Sequence, residues 1–169
     1  MKNTFIVILL TLFITASVGN VCSEELAKEG SGTGMSAASG KWKQHQLEEG
    51  TGFVTWKQKG VMLSDSGKGA FHNMSSNCAG VVLWEKGVGS TVGYCIALAP
   101  DGDKILFEVT EANVKPGPAP KKGNIRFIAG TGKFAGMEGG GEYMGYNVRP
   151  AEEGTYQSVT KSKTSYKLP

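Results

Sequence analysis

Four groups of residues in this chain have the types and spacing for chemistry. The first is Gly130 to Gly145, GTGKFAGMEGGGEYMG. Its Gly130-x-Gly132-x-x-Ala135 start has the form of a dinucleotide fingerprint, with Glu152 and Glu153 about twenty residues on. Such glycines bring backbone amides against a pyrophosphate where a helix opens. Gly139, Gly140 and Gly141 forbid a sustained helix here. Gly132-Lys133 makes no phosphate loop either: Phe134 stands where Ser or Thr would hold magnesium, and Phe127 where the first Gly belongs. Both matches read as accidental. Gly130, Gly132, Gly136 and Gly139 read instead as structural, giving positive φ or close backbone approach at strand corners.

The second group is the cysteines. Cys22 lies in an apolar start, whereas Cys78 and Cys95 lie in strand-like segments. Pairing the segment 70–84 with 91–98 about a turn near Lys86-Gly87 places Cys78 directly opposite Cys95. A disulfide is then feasible, two buried free thiols being the alternative. The third group is ionisable. Glu108 and Glu142 sit in strands, as cavity acids or, the reading adopted, as surface carboxylates. His45 and His72 are the only histidines and are too far apart in sequence to suggest a metal pair. No Ser/His/Asp set or G-x-S-x-G elbow is visible, so no catalytic residue, metal or cofactor is assigned. The fourth group is aromatic: Trp56, Tyr94 and Phe107 could line a ligand cavity or simply fill a small barrel.

These residues must be positioned by short strands. Residues 1–23 read as a signal peptide, with Lys2 before an apolar run from Phe5 to Ile14. That run is short of the ~20 residues a membrane span needs. A lipid anchor at Cys22 is the less favoured alternative, since Gly19 and Val21 stand where a lipobox wants Leu and a small residue. Without that segment the chain has 17 Lys plus Arg against 15 Asp plus Glu. This balance is too mild to argue for nucleic acid or an anionic membrane. Residues 24–40, polar, small and glycine-rich, read as a flexible leader, and 41–169 as one β domain. Strands are expected near 42–48, 52–63, 70–84, 91–98, 104–114, 124–129, 141–148 and 155–168. Many short strands at this spacing make the expected class all-β, a barrel or a sandwich, and the glycine corners around Gly130 to Gly141 favour a single antiparallel barrel. The proline-rich 115–122 is a loop or edge cover.

One hairpin can be written in register. A two-residue turn centred on Asp101-Gly102 pairs Leu98 with Ile105, Ile96 with Phe107 and Tyr94 with Val109, all on one face. In residues 155–168 the hydroxyls of Ser158, Thr160, Ser162 and Thr164 share one face and Val159, Lys161 and Lys163 the other. Which face points inward stays open. Asn73-Met74-Ser75 is a glycosylation sequon, relevant only on a eukaryotic secretory route.

The Gly130–Gly136 core is similar to the G-T-G-K-[FY]-A-G turn of allene oxide cyclase-type and dirigent-type barrels. It resembles most the small exported bacterial proteins of that superfamily. The order of Cys78 and Gly80, Gly93-Tyr94-Cys95, Asp101-Gly102-Asp103 and the glycine motif also matches, over about half of the chain beyond the signal peptide. The resemblance implies an eight-stranded, calycin-like barrel with a hydrophobic interior, often a homo-oligomer. It does not carry over a function, because the acidic residues of neither group can be placed here. The expectation is non-catalytic binding of a small apolar ligand or partner protein. An isomerase or cyclase acting by confinement and a filled, envelope-associated barrel are the alternatives.

Overall fold

The computed structural model describes residues 26–115, 120–148 and 152–169. The signal-peptide segment and Cys22 lie outside them. Eight strands follow one another: β1 (Glu29–Glu48), β2 (Thr51–Ser64), β3 (Met74–Glu85), β4 (Val88–Leu98), β5 (Lys104–Val114), β6 (Lys121–Gly130), β7 (Glu138–Val148) and β8 (Thr155–Lys167). Each is antiparallel to the next, and β1 pairs with β8 to close an all-β barrel. One 3₁₀ turn, Gly132–Phe134, interrupts the strand order among the described residues.

Turn chemistry sets these pairings. Lys86 and Gly87 both take positive φ, 51° and 78°, the backbone of a two-residue type I′ turn. The register that follows puts Cys78 opposite Cys95, and the two are joined as a disulfide.

The next hairpin departs from the sequence expectation. Gly102 N–H donates to the Ala99 carbonyl at 3.0 Å, Ala99 N–H to the Asp103 carbonyl at 2.9 Å, and Gly102 has φ 95°. Pro100-Asp101-Gly102 is thus a three-residue loop, a turn ending in a left-handed glycine, in place of the expected two-residue turn. The register moves by one, and Ala97 faces Ile105 while Cys95 faces Phe107. A one-residue shift reverses a strand's faces. Tyr94, Ile96 and Leu98 therefore point outward, Tyr94 at 50 % exposure, while Cys95, Ala97, Ile105 and Phe107 are buried inside. Tyr94→Ser should accordingly change stability by no more than ~0.5 kcal/mol, as for ordinary surface sites. A loss several times larger in urea denaturation of the monomeric chain would refute the outward placement.

The flexible leader is also corrected. Residues 29–40 are part of β1, whose backbone pairs with β8 from Glu29↔Lys167 to Lys41↔Thr155 and with β2 from Gly34↔Ser64 onward. Strand neighbours pair its backbone, β8 alone over 29–33 and both β8 and β2 from Gly34, so it needs no apolar alternation to be held. Its small side chains are what the packing requires: a Cβ at Gly34 would come within 2.7 Å of the Leu63 carbonyl, and one at Gly40 within 2.5 Å of the Lys57 carbonyl.

Antiparallel order gathers the 65–73 loop, the 100–102 turn, residues 131–137 and both described termini at one end. The buried cluster sits there: Phe134 is fully buried among Met74, Ala97, Ile105, Phe127 and Met137. Phe71 stacks on Phe127, with centroids 5.3 Å apart, and meets Tyr166 edge-on at 5.8 Å. This end is a plug. The turns at 49–50 and 86–87 lie at the other end and touch through Gly87 N–H and the Gly50 carbonyl, 3.3 Å apart.

Candidate functional site: the barrel cavity

The interior above the plug is open because its large side chains lie flat on the wall. Trp56 on β2 covers Gly80 on β3 and Gly93 on β4, where an added Cβ would come within 2.5 Å of the indole. Trp84 covers Gly89, Tyr156 covers Gly40, Tyr166 covers Gly30 and Tyr143 covers Gly123, each across a strand pair. Rings laid over glycine support the sheet and leave the axis empty. The cavity that results has a volume of about 1260 Å³. That exceeds the ~300–1,000 Å³ usual for small-molecule sites. An eight-stranded barrel can be filled by its own side chains or hold a ligand. This one is not filled.

Its walls differ in chemistry. On β2 to β6 the lining includes Trp56, Val82, Phe107, Val109, Ile125 and Phe127. On β8 it is Tyr156, Ser158, Thr160, Ser162, Thr164 and Tyr166, which resolves the open question of the last strand: its hydroxyl face points inward. Lys161 and Lys163 face outward and are exposed.

Of the three aromatic residues singled out from the sequence, Trp56 and Phe107 line the cavity. Tyr94 does not, because the three-residue turn put it on the outer wall. Glu108 also faces outward and pairs with Arg126, Nη2 to Oε1 at 3.0 Å, and Glu142 is exposed. The carboxylate inside the cavity is Glu111, which the sequence reading missed. It continues the inward series Ile105, Phe107, Val109 by one more alternation, a signal legible on β5 itself.

Glu111 is the centre of a polar cluster. Thr91 Oγ1 donates to its Oε2 and Tyr143 Oη to its Oε1, both at 3.0 Å. Tyr156 Oη donates to Gln58 Oε1 at 3.0 Å. Burial, then the charge of Glu111 and its hydrogen bond, pushes the Tyr143 phenol well above its ordinary value. Burial, then Glu111, does the same to Tyr156. Both phenols keep protons in the fold that they would release near pH 10.0 when unfolded. The folded chain therefore binds more protons above that pH. The contribution is whole below ~10 and is lost as the pH rises beyond it, with a slope of about 1.4 kcal/mol per pH unit for each phenol. Tyr143→Phe should remove one such increment from the pH dependence, measured by urea denaturation between roughly pH 9 and 11. An unchanged slope would contradict the assignment.

Other candidate chemistry is not assembled. Ser64 Oγ and His72 Nδ1 come to 3.5 Å, but the hydroxyl is held at 2.5 Å from the Lys68 carbonyl, and Asp65 is occupied by Thr33 Oγ1. His45 stacks on Phe53 on the outer wall, ring centroids 4.5 Å apart. Among the described residues no three His, Cys, Asp or Glu side chains gather as a metal site would require.

The glycine motif serves the plug. No helix opens after Gly130, and the chain passes through the 3₁₀ turn into β7. Gly132, Gly136 and Gly139 have φ of 53°, 73° and 120°, and a Cβ at Gly130 would overlap the Phe134 carbonyl. Lys133 N–H donates to Asp103 Oδ2 at 2.9 Å, and Thr131 Oγ1 accepts the Lys104 N–H at 2.9 Å. The motif is thereby docked on the Asp101–Asp103 turn. Lys133 Nζ lies 2.5 Å from Asp101 Oδ2 and holds that carboxyl below the usual carboxylate range. Searched against protein-family models and against curated proteins, the chain matches none.

Proposed function

We propose that this protein is an exported barrel that binds one small, elongated, largely apolar ligand and catalyses nothing. The observation that carries the reading is the cavity of about 1260 Å³, with Trp56, Phe107 and Ile125 on one wall and a ladder of hydroxyls on the other. Such a lining suits an apolar body with a few polar groups along one side. Export is supported by the signal-like start and by the Cys78–Cys95 disulfide. The likeness to allene oxide cyclase-type and dirigent-type barrels belongs to the same proposal. So does a homo-oligomer, for which the exposed apolar row Val92, Tyr94, Ile96 and Leu98 on β4 speaks.

Native mass spectrometry of protein taken from its own host tests this directly. A co-purifying apolar small molecule, released on denaturation, is the expected result. Protein that is empty and also fails to bind apolar probes would defeat it. One observation favours a second reading, an isomerase that confines a reactive apolar substrate: Glu111 and Tyr143 share a hydrogen bond inside the cavity. Recovery of the captured molecule in rearranged form after incubation would select that reading.

A further inference from the structure

Glu111 is placed unusually for a carboxylate. It lines an aromatic cavity, and its two oxygens each accept one neutral hydroxyl, from Thr91 and Tyr143. A carboxylate has about four acceptor sites, so capacity is left over. No ion pair joins it to a cation among the described residues. Three other charged residues belong to the lining, Lys68, Lys121 and Lys133. Lys68 and Lys133 belong to the plug end, and Lys133 is paired with Asp101. Lys121 lies one inward position beyond Gly123, the strand partner of Glu111. Among the described residues, the hydrogen bonds that Glu111 accepts thus come from neutral hydroxyls alone.

We propose that the cavity selects a ligand with a cationic head, an amine or quaternary ammonium, seated at Glu111 with its apolar body along Trp56, Val109 and Ile125. This inference rests on the binding reading above and adds the ligand class. A cation gains most from a carboxylate in surroundings that screen poorly. The faces of Tyr143, Tyr156, Trp56 and Trp84, all in the lining, attract cations as well. An anionic head would face Glu111 as a like charge, and a neutral alcohol would forgo the charge attraction.

The test uses protein recovered from a host expressing the full chain. It is titrated with dodecyltrimethylammonium, dodecanol and dodecanoate below their micelle concentrations, with binding followed by calorimetry and tryptophan fluorescence. The ammonium probe should bind at least roughly tenfold more tightly than dodecanoate, with the alcohol between, as a charge-assisted contact implies. Glu111→Gln should reduce that difference to within about threefold while dodecanol binding persists, which also reports an intact cavity. If all three probes bind the unaltered protein equally, the cationic-head assignment is overturned and the binding reading stands. If dodecanoate binds best and Lys121→Gln removes its advantage, the head-group site is Lys121 and the assignment is equally overturned. If none binds, the binding reading itself falls and the inference with it.

Discussion

Gly132→Val should cost roughly 3 kcal/mol or more, combining left-handed strain, overlap with a carboxylate and the loss of a half-buried hydrogen bond. Gly132 has φ 53°, a conformation a β-branched residue resists, and a Cβ there would overlap the Asp103 carboxylate. That carboxylate accepts the Lys133 N–H, so moving it aside also breaks the contact between the plug turn and the β4–β5 turn. In a domain of this size the loss should lower the melting temperature by about 10 °C or more. Gly136→Val should be milder. Its φ of 73° is unfavourable too, but the atoms a Cβ would meet, 2.9 Å away, belong to Pro169 at the end of the chain. Lys133→Ala should do least, because it removes an ion pair with Asp101 and an ammonium placed 5.2 Å from the Phe134 ring centre, each a small contribution at the rim. Thermal denaturation of the three variants gives the order. If Lys133→Ala abolished binding of a nucleotide while Gly132→Val left the melting temperature intact, the structural account of the motif would be wrong.

The sequence reading succeeded where one local feature determines a pairing. Lys86-Gly87 offers a two-residue turn whose positive φ values suit the twist of a hairpin, so counting outward from it brings Cys78 to Cys95. The same counting failed one hairpin later. Asp101-Gly102 looks like a two-residue turn, but Pro100 before it favours the first central position of a type I turn, and Gly102 then takes the left-handed position that follows. One residue of loop length decided which of Tyr94 or Cys95 shares the inward face of Ile105 and Phe107. The error passed unnoticed because β4 is apolar on both faces: Ile96 and Leu98 outside are no less hydrophobic than Cys95 and Ala97 inside.

The barrel's closure was hidden for a different reason. Glu29 to Gly40 has the composition of a linker, and no window within it alternates apolar with polar. It is a strand because β2 and β8 both present free edges to it, a long-range cause that composition does not carry. The cavity is subtler still. The sequence contains 25 glycines, and nothing local says which of them lie under rings. Gly80 and Gly93 are thirteen residues apart, yet share the indole of Trp56, because register sets them side by side. Read singly they are turn formers or weak strand positions, whereas read as cross-strand partners of aromatics they account for the empty axis.

Replacing both cysteines, as Cys78→Ala with Cys95→Ala, should destabilise the barrel by about 3 kcal/mol in the chain-entropy view of a disulfide. The bond closes a loop of 17 residues that contains the β3–β4 turn, so it restricts the unfolded chain most in the hairpin that bears Gly80 and Gly93. Both sulfurs are buried and line the cavity, and alanine at each position adds a small loss of packing. In urea the midpoint should fall with little change in the native spectrum, since the β3–β4 ladder runs from Ser75↔Leu98 to Glu85↔Val88 without needing the bond. Reductant should move the unaltered protein by a similar amount. Thiol labelling of denatured, unreduced protein from its own host should find neither Cys78 nor Cys95 free. Two labelled thiols would overturn the disulfide and weaken the argument for export, while a full loss of stability in the double variant would place the hairpin's integrity in the covalent bond, not in its turn and ladder.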